Sequence, residues 1–134
     1  MARGRIVALT TNDCWLHLRR SSLGRVAVTV ASLPEIFPVN FCIIDDDIVF
    51  RAGEDTKLYS ATTNAVVAFE IDEFDLENQS GWSVLAVGAC TEEHDATRIH
   101  EAEVELPDGW VPGERDHVMR MHPHRISGRR IETP

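Results

Sequence analysis

Gly24-Arg25-Val26-Ala27-Val28-Thr29-Val30-Ala31-Ser32-Leu33-Pro34-Glu35-Ile36-Phe37-Pro38-Val39-Asn40-Phe41-Cys42-Ile43-Ile44-Asp45-Asp46-Asp47-Ile48-Val49-Phe50-Arg51 is the stretch from which the architecture is read. Val26, Val28 and Val30 alternate with Ala27, Thr29 and Ala31, the period of two expected of a strand with one face on a core. Ser32-Leu33-Pro34-Glu35 reads as a turn, and Ile36 to Ile44 as a second, very apolar strand. Pro38 interrupts that strand; lacking an N–H to give to a ladder, it implies an edge position or a bulge. Asp45-Asp46-Asp47 then turns the chain into Ile48-Val49-Phe50-Arg51.

Upstream, Thr10-Thr11-Asn12-Asp13 has capping-box spacing and opens a helix through Cys14-Trp15-Leu16-His17-Leu18, with Gly24 as its expected stop. Downstream, Ala52 to Ser60 reads as a loop and a short helix. Ala65 to Phe74 and Trp82 to Cys90 are strongly apolar strands, and Asp95 to Leu106 has helical spacing. Pro107-Asp108-Gly109 and Pro112-Gly113 mark a loop around Trp110. Val118 to Met121 and Arg125-Ile126 suggest a closing strand that ends in Gly128-Arg129-Arg130. Five or six strands with short turns, and a helix near each end, predict a small β-barrel; the strand order stays open.

The 134 residues are 43% hydrophobic and 26% charged, enough for one globular domain spanning 1–134. No apolar run approaches the ~18 residues of a membrane span, and the first residues lack the pattern of a signal peptide, so a cytoplasmic protein is expected. Cys14, Cys42 and Cys90 are odd in number and far apart, which argues against a disulfide framework and a cysteine-based zinc site. The net charge of −9 opposes phosphate backbones and excludes general nucleic-acid binding. Residues 70–116 hold most of it, with fourteen acids against two arginines. Twelve of the thirteen basic residues are arginine, which makes the single lysine, Lys57, a site candidate.

Nucleotide-binding GxGxxG and Walker patterns, HExxH and GxSxG are all missing, and no serine or cysteine sits in a nucleophile elbow. His122-Pro123-His124 has strand spacing for two ligands on one face but no third, so it reads as a polar face, and no metal is expected. Asp45-Asp46-Asp47 lacks the oxygen-ligand spacing of a calcium loop. The informative segment is Phe50-Arg51-Ala52-Gly53-Glu54-Asp55-Thr56-Lys57-Leu58. A cation ending a strand, a glycine for a tight turn, and a hydroxyl and lysine opening a helix together suit a phosphate. The proline-interrupted strand upstream frees backbone groups to meet a flat heterocycle.

These residues, with Cys14-Trp15-Leu16, Gly24-Arg25-Val26-Ala27-Val28, Trp82-Ser83-Val84-Leu85-Ala86-Val87-Gly88 and Arg125-Ile126-Ser127-Gly128-Arg129-Arg130, resemble in order and spacing the pyridoxamine 5′-phosphate oxidase-like split barrels. The likeness is to the small bacterial branch that includes nitroimidazole-reductase-like proteins, and covers about residues 8–130. It implies a mainly β fold: a six-stranded antiparallel split β-barrel of Greek-key type with a few short flanking helices. It also implies a homodimer with FMN in the cleft between subunits and no nucleic-acid or membrane partner. Pro38, Val39, Asn40 and Phe41 would then lie along the isoalloxazine, and Arg51, Thr56 and Lys57 would grip the phosphate. Trp82 and Ser83 would reach the flavin from the other subunit, and Trp110 would cover the ring. The Arg-x-x-Leu-Leu-Lys-type strand of the true oxidases is replaced here by Ile36 to Phe41, so oxidation of pyridoxamine phosphate itself is not expected. The implied function is a flavin-dependent oxidoreductase acting on an undefined small molecule. The alternative is a non-catalytic carrier of flavin, deazaflavin F420 or haem.

Overall fold

Two tight turns build the first meander of strands. A computed structural model describes residues 3–106 and 116–133. In it β2 (Leu23–Val30) and β3 (Leu33–Ile44) are joined by Ala31-Ser32, both at positive φ (49° and 67°), with Val30 opposite Leu33. The turn expected at 32–35 is therefore two residues long and falls earlier. Asp45-Asp46 (φ 51° and 61°) makes a second such turn into β4 (Asp47–Gly53), with Ile44 opposite Asp47. Paired positive-φ residues give the twist that tight hairpins need, and aspartate tolerates that conformation better than most residues.

Preceding this meander are β1 (Arg5–Ala8) and α1 (Thr11–Arg20); following it are α2 (Lys57–Thr62), β5 (Ala65–Asp75), β6 (Ser80–Glu92), α3 (Ala96–Glu105) and β7 (Asp116–Glu132). The strand order is β1-β7-β4-β3-β2-β5-β6, and β6 also pairs with β7, all antiparallel. That last pairing closes β2 to β7 into a six-stranded ring. β5 returns to lie beside β2 rather than β4, which is the Greek-key connection. β7 makes closure possible by its length: its first half pairs with β4, its second half with β1, and its other edge with β6 throughout. β1 is a seventh strand outside the ring, from a segment that the sequence reading left without structure.

Inward-facing side chains fill the ring. Val26, Phe41, Ile48, Phe50, Phe69, Ile71, Val84, Met119 and Met121 are all buried, and Phe41 meets Phe69 edge-on with centroids 4.7 Å apart. Each such side chain contributes roughly 1.5–3 kcal/mol on burial. Gly24 is part of β2 and not a helix stop. A Cβ there would lie 2.2 Å from the Phe69 ring, so the glycine makes room for the core. α1 ends instead at Arg20, with Ser21 donating its N–H to the Leu18 carbonyl. α1 and α2 sit at opposite ends of the ring, since α1 leads into the start of β2 and α2 joins the end of β4 to the start of β5. α3, capped by Asp95, lies outside, over Ile44, Val49 and Val118.

Candidate functional site

The ring is split on one side. Phe41 N–H donates to the Ser22 carbonyl at 3.0 Å, which fixes the odd-numbered residues of β3 as the ones hydrogen-bonded to β2. Backbone groups of Ile36, Pro38 and Asn40 therefore point the other way, toward β4. There β4 pairs only with Phe41–Ile44, then leaves to follow β7. The edge of β3 from Leu33 to Asn40 thus has no strand partner on that side among the described residues. Pro34 and Pro38 both occupy positions on this edge, where a missing N–H costs no ladder bond. The edge position expected of Pro38 is what the structure has.

This open edge offers the carbonyls of Ile36, Pro38 and Asn40 and the N–H groups of Ile36 and Asn40. Val39 and Phe41 are 7% and 1% exposed, with side chains in the core, so they shape the edge from behind. Arg51 comes one residue after the last β3–β4 pair, Phe41–Phe50, and is half-buried at the mouth of the split. Thr56 caps α2: its hydroxyl accepts from Tyr59 N–H at 3.1 Å and donates to the Gly53 carbonyl at 2.7 Å. Lys57 Nζ is 3.4 Å from Glu35 Oε1, while Glu35 Oε2 is buried without a hydrogen-bond partner. An anion held by Lys57 therefore competes with the Glu35 carboxylate.

β6 lies three strands from β3 in either direction around the ring, so Trp82 and Ser83 are opposite the split in the same protomer. Trp82 is stacked on His17 of α1, ring centroids 3.7 Å apart at 20°. Ser83 lines a shallow hollow of about 270 Å³ with Ile6, Ala8, Leu85, Ser127 and Arg129. One protomer therefore brings together Pro38, Asn40, Arg51, Thr56 and Lys57 and keeps Trp82 and Ser83 away from them. Trp110 lies outside the described residues.

A polar cluster behind α2 escaped the sequence reading. The Tyr59 hydroxyl donates to Glu92 Oε1, and His117 Nδ1 is 2.7 Å from Glu92 Oε2. The Tyr59 and His117 rings stack at 4.0 Å and 12°. Burial pushes the Glu92 pKa up, but the hydrogen bonds from Tyr59 and His117 outweigh it and hold the carboxyl below its usual range. The same hydrogen bond, with burial second, raises Tyr59. Three residues far apart in sequence carry no spacing signal; the one available clue is that Tyr59 is the sole tyrosine. The other histidines show little concentration of chemistry. His122 Nδ1 is 2.7 Å from Asp47 Oδ1, beside the buried Arg120, which donates to Asp47 Oδ2 from Nη2 at 3.0 Å. No three described His, Cys, Asp or Glu side chains are placed to hold a metal. Burial raises Cys42 to about 11 and Cys90 to about 12, which keeps both thiols protonated.

A six-stranded Greek-key ring with one strand edge left open, beside a capped turn carrying a cation, defines a split barrel. The chain belongs to the pyridoxamine 5′-phosphate oxidase family, whose model matches residues 10–130. An uncharacterized protein of Mycobacterium tuberculosis is 32% identical over 131 residues, covering 94% of this chain and 86% of its own length. The FAD binding protein from Mycobacterium smegmatis superposes with a TM-score of 0.84 at 34% identity, covering 96% of this chain and 100% of that one. An FAD-binding protein from Mesorhizobium loti has a TM-score of 0.77 at 18% identity, over 96% of this chain and 98% of its own, a likeness of fold. No described helix is long and apolar enough to cross a membrane.

Proposed function

We propose that the chain is a cytoplasmic homodimer that binds a flavin nucleotide and acts as a flavin-dependent oxidoreductase on a small molecule. The observation that carries this reading is the open edge of β3 beside Arg51, Thr56 and Lys57. The pyrimidine side of a flavin is one donor flanked by two acceptors; on this edge the Pro38 carbonyl can take the donor and the Asn40 N–H can meet one acceptor, while Pro38 has no N–H for the other. Family membership and the FAD-binding relative at 34% identity support the same reading. The flavin would supply the electron chemistry; the protein supplies orientation and grip. Trp82 and Ser83 join such a site only from a second copy, because within one protomer β6 lies across the ring from the split. FMN is the form for which a grip by Arg51 and Lys57 accounts by itself; the Thr56 hydroxyl, whose proton goes to the Gly53 carbonyl, shapes the turn that carries Lys57. FAD is the form to test beside it, on the strength of the Mycobacterium smegmatis protein.

The test is the visible spectrum of purified protein titrated with FMN, FAD, F420 and haemin in turn. A bound flavin with its band near ~450 nm is expected. A Soret band would turn the reading to haem handling, and no response to any flavin would overturn it. Lys57→Ala should weaken FMN by about 1–3 kcal/mol through loss of a charge-assisted contact, and leave riboflavin, which has no phosphate, nearly unchanged. The rival reading, a non-catalytic carrier of flavin, F420 or haem, uses the same site. It is separated by assaying NAD(P)H turnover with an acceptor, which a carrier does not support.

A further inference from the structure

Where β5, β6 and β7 meet α1, they border an open hollow of about 390 Å³ lined by His17, Glu73, Phe74, Trp82, Arg130 and Ile131, among others. One wall is aromatic: the His17 imidazole lies flat on the Trp82 indole at 3.7 Å. Burial, aided by the charge of Arg20 and opposed by Asp13 and Glu73, lowers the His17 pKa from its ordinary 6.5. The ring is therefore neutral at pH 7 and adds no positive charge to the wall.

The charged groups of the lining differ in what they have left to give. Asp75 is occupied within its own turn, accepting from the Asn78 side chain at 2.7 Å and from the N–H groups of Glu77 and Asn78 at 3.0 and 3.2 Å. Arg130 is paired with Glu132 at 2.8 Å. Glu73 stands directly opposite Trp82 in the β5–β6 ladder and makes no hydrogen bond or ion pair among the described residues. An aromatic wall facing one unspent carboxylate suits a ring that carries positive charge.

We infer that this hollow binds a flat aromatic cation, of the aryl-amidinium or pyridinium kind, stacked against the His17–Trp82 wall with its charge on Glu73. Binding does not depend on the flavin reading; the role does. If Trp82 reaches the flavin of a second copy, the occupant is the substrate, and the substrate class is an aromatic cation.

Benzamidine is the probe and benzamide its neutral counterpart, both followed by the Trp82 indole N–H signal in ¹⁵N-labelled protein. That signal is assigned by its loss in Trp82→Phe. Benzamidine should shift it saturably below about 10 mM, with benzamide at least about fivefold weaker. Glu73→Gln, at an exposed position that leaves the core untouched, should weaken benzamidine about fivefold and leave benzamide alone. An unmoved Trp82 signal, equal affinity for the two probes, or an unaltered Glu73→Gln variant would each overturn the inference. Flavin titration of the same samples separates the two ideas. Protein that takes up flavin and ignores benzamidine refutes the cation site and not the flavin reading; the reverse result refutes the flavin reading and keeps the site.

Discussion

Glu70 shows how one side chain on the outer face ties stability to pH. Arg25 donates to Glu70 at 3.0 Å and to Asp72 at 3.3 Å, so a single guanidinium serves two carboxylates. Burial first, then the hydrogen bond and charge of Asp72, raise the Glu70 pKa to about 7, with only Arg25 pulling it down. The folded state thus holds a proton that the unfolded chain releases near 4.5. Its contribution is complete below that value and is lost as the pH rises through about 7. Glu70→Gln keeps the hydrogen bonding without the titration, so urea midpoints between pH 5 and 8 should flatten. The side chain is a third exposed, and solvent screening limits the change to under about 1 kcal/mol. An unchanged pH slope would mean that Glu70 does not carry the proton. Gly24 makes a different point. Its sequence position after a helix suggests a stop, but its job is to admit the Phe69 ring, and Gly24→Ala should cost about 1–3 kcal/mol in urea unfolding. A glycine's neighbours in space cannot be read from its neighbours in sequence.

The links that hold α2 include the Thr56 cap, the Tyr59 bond to Glu92, the Tyr59–His117 stack and the Lys57–Glu35 ion pair. Six residues are too few for a helix to stand on propensity alone, so these links decide whether the turn carrying Lys57 is formed. Tyr59→Phe keeps the stack and removes the hydroxyl; it should cost about 1 kcal/mol in urea unfolding. Hydrogen exchange should rise at the α2 amides first, before those of β5. Uniform acceleration through the barrel would instead place Tyr59 in the global core. Regular elements were legible because their period is local: the Val26–Val30 alternation, the apolar runs at 65–74 and 82–90, and the Thr10 cap. The hairpin at 31–32 was misplaced because Pro34 resembles a turn residue. It sits on the open edge of β3, where its missing N–H is harmless. The capped turn at 51–57 was legible as composition, whereas the cluster behind it depends on β6 and β7 meeting α2.

Closure of the molecule follows from β7, whose 17 residues pass from β4 to β6, and no local pattern in the sequence announces that exchange. It puts β3 and β6 across the ring from each other, so a site using both the split and Trp82 needs two copies. The outer face between them has an apolar surface to offer. Leu23, Ile36 and Leu85 are 52%, 66% and 39% exposed on the β2, β3 and β6 positions around the Arg25–Glu70 pair. An isologous contact would bury this face against itself. Leu85→Arg, a change on the outer face and outside the buried core, should leave a folded monomer with a mass of one chain by light scattering. In the dimeric reading that monomer also loses its flavin, because each split is deprived of the partner's β6. Lys57→Ala gives the complementary result, losing affinity for the phosphate while remaining a dimer. If the Leu85→Arg monomer held flavin as tightly as the parent, the split alone would be the binding site, and the aromatic-cation hollow at Trp82 would have no flavin beside it.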